Sequence, residues 1–264
     1  MELSLSGRLV ESGSGNFLTV REFLDLARRN GYKAVDLRAS QLGPDTSDAE
    51  FAAIRDALSE TGLLVFEGLY GGKLDEAAER DSFVKTVKRL ADLGAQGVRV
   101  GGDLATLKRF CRLAAPFGLK IFYQMHTGSP FETVASTVRA VAEIDEPNFA
   151  VLPEPSNLLL AKERFAEEMF APLKGIIGGV HVQTVEVRSD AKQTLTLSDG
   201  TEVRYERVDY EQNRQLDFTT FFRALRHAGF DGYVNELEPF PGKEKLDDTV
   251  ARAARFLEKV IGKD

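Results

Sequence analysis

Four positions in the second half of the sequence put a polar, metal-capable side chain at the end of an apolar run. Gln124 closes Ile121-Phe122-Tyr123, and Glu154 follows Ala150-Val151-Leu152-Pro153. His181 lies within Gly179-Val180-His181-Val182, and Glu238 ends Tyr233-Val234-Asn235-Glu236-Leu237. Each run follows a helix-like segment. In a β/α barrel the C-terminal strand ends meet at one mouth, so these four side chains would converge there. Two carboxylates, an imidazole and an amide oxygen are donors that suit Mn²⁺ or Mg²⁺, with Zn²⁺ or Co²⁺ as further candidates. Metal-assisted chemistry on a small molecule is the expectation. Read singly, each residue has a plainer role. Gln124 could hydrogen-bond a neighbouring loop, Glu154 could cap the following helix, His181 could be a core histidine, and Glu238 an exposed loop acid.

The elements that would position these residues alternate along the whole chain. Leu3-Ser4-Leu5-Ser6 reads as a first strand. Thr19 with Glu22, and Ser47 with Glu50, form capping boxes that open helices, because each side chain satisfies a free backbone N–H. Asn30-Gly31 and Gly62 close those helices. Strands then follow at Ala34–Leu37, Leu63–Phe66, Val98–Val100, Lys120–Tyr123, Phe149–Leu152, Ile176–Val182 and Tyr233–Leu237. Helices are expected through Phe83 to Leu90, Leu104 to Ala115, from Ser129-Pro130-Phe131-Glu132 onward, Leu158 to Leu173, Phe218 to His227, and Leu246 to Ile261. Strand–helix alternation implies parallel strands with right-handed crossovers. Eight such units in 264 residues predict one (β/α)8 TIM barrel over residues 1–264. The rival is a doubly wound sheet. Ser12-Gly13-Ser14-Gly15-Asn16 is glycine-rich in the right place but lacks the dinucleotide-binding spacing. The segment Thr194 to Tyr205 alternates around Asp199-Gly200, which predicts a β-hairpin inserted after the seventh strand. A hairpin there could lid a pocket or join subunits into a homo-oligomer.

Composition restricts the function classes. A net charge of −7 argues against a sequence-independent nucleic-acid binder, which needs a positive surface. No apolar run is long enough to cross a bilayer, and the first residues lack a signal-peptide pattern. Cytoplasmic localisation and no membrane partner are expected. The single cysteine, Cys111, precludes an intramolecular disulfide and reads as a small buried hydrophobe.

These segments resemble the xylose-isomerase-like barrels: sugar isomerases, ketose 3-epimerases, inosose dehydratases and the more distant endonuclease IV. Gly118 to His126 is similar to their fifth strand, with Gln124 where a glutamate is expected. Glu154-Pro155-Ser156-Asn157 resembles the Asp-Pro-x-Asn end of the sixth strand. His181-Val182-Gln183 resembles the seventh, and Gly229-Phe230-Asp231-Gly232 with Glu238-Pro239-Phe240 the eighth. The resemblance implies a metal-dependent isomerase or epimerase acting on a sugar or polyol-derived ketone. Gln124, Glu154, His181 and Glu238 would be the metal ligands. Glu238 would be the base, Glu154 the second catalytic carboxylate, and Glu236 the reserve for Glu238. His126, Glu67 and Arg188 are the candidate substrate contacts. Glutamine cannot accept a proton near neutral pH, so Gln124 argues against a symmetric two-base epimerase. A Lewis-acid metal with one carboxylate base remains, which fits aldose–ketose isomerisation, dehydration or retro-aldol cleavage. The competing functions are a non-catalytic sugar-binding or assembly protein and an endonuclease-IV-like repair enzyme. Only three histidines count against the latter.

Overall fold

The protein is described by a computed structural model that covers residues 1–12, 15–237 and 245–262. Eight parallel strands line its centre: β1 (Glu2–Ser6), β2 (Ala34–Leu37), β3 (Leu64–Leu69), β4 (Gly97–Arg99), β5 (Lys120–Gln124), β6 (Phe149–Leu152), β7 (Val180–Val182) and β8 (Tyr233–Glu236). They are hydrogen-bonded in the order β6-β5-β4-β3-β2-β1-β8-β7. The barrel closes through the chain entering β7. Val151 N donates to Ile176 O and Gly178 N to Val151 O, both at 3.0 Å, and His181 N donates to Pro153 O at 3.0 Å. The expected single barrel is therefore the fold.

The helices begin where the capping chemistry directs. Thr19 opens α1 (Val20–Arg29) and Ser47 opens α2 (Asp48–Thr61), each with a complete capping box. The outer layer continues with α3 (Ala77–Asp92), α4 (Leu104–Ala114), α5 (Val134–Ile144), α6 (Pro155–Leu160), α7 (Phe218–His227) and α8 (Leu246–Ile261). Two boundaries differ from expectation. α5 starts after Thr133, whose hydroxyl accepts from Ser136 N, and not at Ser129. The Ser129 hydroxyl is spent on a turn, donating to His126 O and accepting from Phe131 N. The long helix expected over Leu158 to Leu173 is the short α6, because Lys162 takes a left-handed conformation (φ 63°) that a helix cannot continue.

The inserted hairpin is present. Gln193–Thr196 pairs antiparallel with Glu202–Arg207 around Asp199-Gly200, and Val185–Val187 adds a third strand. Leu197, Val203 and Val185 cluster with Leu160 of α6, which seats this small sheet on the barrel.

Inside the barrel the first layer is apolar. Ala34, Phe66, Phe122, Ala150, Leu152 and Tyr233 form one buried cluster. Phe66 and Phe122 stack with centroids 5.5 Å apart. Gly179 leaves them room, since a Cβ there would lie 2.1 Å from Phe66 Cζ. The strand register then breaks once. Val35 pairs with Val65, but the next residue, Asp36, pairs with Glu67, so Phe66 is an extra residue on β3. This bulge points both Phe66 and Glu67 inward, while Gly68 turns towards Leu90 of α3.

Candidate active site

Above the apolar layer lies a polar one. Ser6 (β1), Asp36 (β2), Glu67 (β3), Arg99 (β4), Gln124 (β5), His181 (β7) and Asn235 (β8) each come from a different strand. Period-two alternation puts them inside: Tyr233 joins the interior apolar cluster and Val234 the outer core, so Asn235 turns inward again. Ser6 Oγ donates to Asp36 Oδ2 at 2.5 Å, and Asn235 Nδ2 donates to the same oxygen at 3.4 Å. His181 Nε2 and Glu67 Oε1 are 2.7 Å apart. Arg99 Nε lies 3.5 Å from that same Glu67 oxygen, and its Nη1 donates to Gln124 Oε1 at 3.0 Å. The layer is thus a continuous polar chain, His181–Glu67–Arg99–Gln124.

Burial controls the protonation of this chain. Glu67 is fully buried, and loss of solvation pushes its carboxyl up to about 7, against the pull of Arg99 and Arg38. Burial likewise raises Asp36 and holds His181 well below the usual imidazole range, with Arg99 lowering it further. The Glu67–His181 pair therefore favours its uncharged form.

The mouth opens beside this layer into a cavity of about 630 Å³. Arg99 and Gln124 line it together with Tyr123, His126, Asp75 and Asp103. His126 is exposed, and its Nδ1 is 2.8 Å from Thr127 O. A carbonyl oxygen only accepts, so Nδ1 carries a hydrogen, and in the neutral ring Nε2 is the nitrogen with the lone pair.

Of the residues expected to share a metal, the three that are described are engaged elsewhere. Gln124 is bound by Arg99 and His181 by Glu67. Glu154 caps α6: its two carboxylate oxygens accept from Ser156 N and Asn157 N, both at 2.8 Å, and Gln183 Nε2 adds a third bond at 3.2 Å. Its carboxyl too is pushed up to about 7 by burial. Glu238 lies outside the described residues. Glu236, its reserve, alternates with Asn235 and pairs with Leu5 of the outer core, so it turns away from the mouth towards Tyr32 and α8. Of the expected substrate contacts, His126 is at the cavity and Glu67 lies beneath Arg99. Arg188 is not at the cavity; it is ion-paired with Asp190 and Glu206 on the inserted sheet. Sequence reasoning missed Arg99, Asp36 and Asn235. The signal was available: each is a polar or charged residue inside an apolar strand, the pattern that singled out His181.

A parallel barrel with a polar layer at its C-terminal mouth defines an enzyme-type β/α barrel. The chain belongs to the xylose isomerase-like TIM barrel family, which matches residues 24–260. It is 24% identical over 234 residues to the inosose dehydratase of Geobacillus thermodenitrificans (strain NG80-2), covering 83% of this chain and 72% of that protein. Its fold is similar to that of the D-psicose 3-epimerase from Clostridium cellulolyticum H10, solved with D-tagatose, with a TM-score of 0.73, 13% identity and 99% of both chains covered. It is also similar to the IOLI protein solved with a zinc atom, with a TM-score of 0.76, 15% identity, and 99% of this chain and 98% of that one covered. The dehydratase and the epimerase are enzymes by name, and the zinc atom of the IOLI structure raises the question of a divalent metal in this chain.

The described donors do not fit one. Among the described residues no three acidic, histidine or cysteine side chains converge on a metal-sized point. His181 Nδ1 is a buried ring nitrogen without a hydrogen-bond partner among the described residues, but one open nitrogen is too few for Mn²⁺, Mg²⁺ or Zn²⁺. Among the described residues the charges acting on that ring are mostly cations, Arg99, Arg38 and Arg8, opposed by Asp36.

Proposed function

We propose that the protein is an isomerase- or epimerase-like enzyme acting on a small sugar or polyol-derived carbonyl compound. The reading rests on one observation: a guanidinium and an imidazole with a free Nε2 line the same mouth cavity. Proton transfer beside a carbonyl needs these two parts. Arg99 donates hydrogen bonds to the carbonyl oxygen. His126 Nε2 takes the proton from the adjacent carbon, and the C–H electron pair becomes the enolate double bond. Returning the proton to the carbonyl carbon, while the neighbouring hydroxyl's proton passes to the carbonyl oxygen, isomerises; a proton delivered by water to the opposite face of the same carbon, with His126 releasing its own to solvent, epimerises. Loss of a β-hydroxyl as water from the same enolate dehydrates. No redox partner is consumed. Gln124 would meet a substrate hydroxyl through its amide nitrogen, and the family relatives support a small sugar-like substrate.

The test is proton exchange. Wild-type protein incubated with a panel of ketoses and inososes in deuterated water should exchange a proton beside the carbonyl of at least one, followed by NMR. His126→Gln should keep its fold, since the side chain is exposed, and lose on the order of 10²–10⁴ in rate. Binding of a panel sugar with no exchange would instead identify a sugar-binding protein.

A further inference from the structure

Arg99 is held where a cation would do chemistry. Its side chain is 13% exposed and reaches the mouth cavity from β4. Gln124 Oε1 fixes Nη1 at 3.0 Å, and Glu67 Oε1 faces Nε at 3.5 Å. Glu67 is in turn fixed by His181 at 2.7 Å. Three residues thus aim one guanidinium, and only Glu67 among them is an acid. That explains the glutamine. A carboxylate at position 124 would set an anion against Arg99 and neutralise it, whereas an amide oxygen orients the fork and leaves the positive charge available. Arg38 and Arg8 add cationic field to the same layer, acting on His181 in the same sense as Arg99.

We propose that the Arg99 guanidinium replaces a divalent cation as the electrophile of this site, so that its chemistry needs no metal ion. The reaction it serves rests on the function proposed above; the replacement itself does not. The fixed cation lies beside the oxygen on which negative charge develops, and it needs no reorganisation as that charge appears. A divalent ion in the same layer would be repelled by Arg99 and would find Gln124 and Glu154 already bonded.

Mn²⁺ binding tests this without knowledge of the substrate. Free Mn²⁺ is measured by electron paramagnetic resonance while wild type, Arg99→Ala and the Arg99→Ala/Gln124→Glu double variant are titrated, with circular dichroism as the fold control. Wild type should bind no Mn²⁺ tighter than about 1 mM. The double variant loses one positive charge and gains one negative, and should bind it on the order of 100-fold more tightly. If the double variant misfolds, the wild-type titration decides alone. One equivalent of Mn²⁺ bound to wild type at micromolar concentration would overturn the proposal. So would a folded double variant that binds no better than wild type. Should wild type bind no Mn²⁺ and also exchange no substrate proton, the enzyme reading fails and takes Arg99's role as electrophile with it, while the exclusion of the metal by Arg99 stands. Should it exchange protons only when Mn²⁺ is added, the replacement fails and the enzyme reading stands.

Discussion

Replacing Glu67 by glutamine should change how stability depends on pH. Burial raises the Glu67 carboxyl from 4.5 to about 7. At about 1.4 kcal/mol per pK unit, that corresponds to at most about 3 kcal/mol. The direction follows from which state holds the proton. Between pH 4.5 and about 7 the folded protein keeps it and the unfolded chain releases it. Stability is therefore greatest below the unfolded value, falls as pH rises through this window, and levels off above the folded value. Glu67→Gln removes the titration and keeps an oxygen that accepts from His181 Nε2. Urea unfolding followed by circular dichroism from about pH 5 to about pH 8 should show wild type losing more stability than the variant, by up to about 3 kcal/mol. Glu154, raised to about 7 as well, contributes its own decline to both proteins and does not affect the difference. Parallel losses in the two proteins would refute the account of Glu67 as a buried acid driven towards its neutral form.

Gly179→Ala should lower stability by about 1–3 kcal/mol, seen as a lower urea midpoint, because the new Cβ would sit 2.1 Å from the Phe66 ring. Cys111 is fully buried, and burial pushes its thiol up to about 12. It should therefore ignore Ellman's reagent at about pH 8 in the native protein and react fully in urea. Gly200 turns the inserted hairpin at φ 84°, so Gly200→Ala should cost about 1 kcal/mol there. Faster amide exchange confined to Thr194–Arg204 would report it.

The fold was legible because local rules and global pattern agree. The capping boxes at Thr19 and Ser47, and the alternation around Asp199-Gly200, occur where the sequence places them. The sequence also pointed to the barrel mouth and to His181, His126 and Glu67. It could not assign partners. Arg99 meets Glu67 across 32 positions and His181 meets Glu67 across 114, and neither spacing leaves a local trace. Glu154 shows a different limit. A carboxylate after a strand and before a helix is equally suited to a metal or to the free N–H groups of that helix, and here the N–H groups take it. Ser129 likewise had the chemistry of a cap, and a competing turn claimed its hydroxyl.

The extra residue on β3 makes the site depend on chain length as much as on residue type. Phe66 and Glu67 occupy adjacent inward positions that a regular strand cannot provide, so the aromatic packing and the buried acid are supplied by neighbours in sequence. Deleting either residue would reset the alternation from that point. One of the two inner layers would lose its contribution from this strand, with no other side chain of the chain altered. A single-codon loss could thus separate a well-packed barrel from an orienting partner for Arg99. Diversification of such a barrel can therefore proceed by insertions within its strands, as well as by the lengthening of its loops.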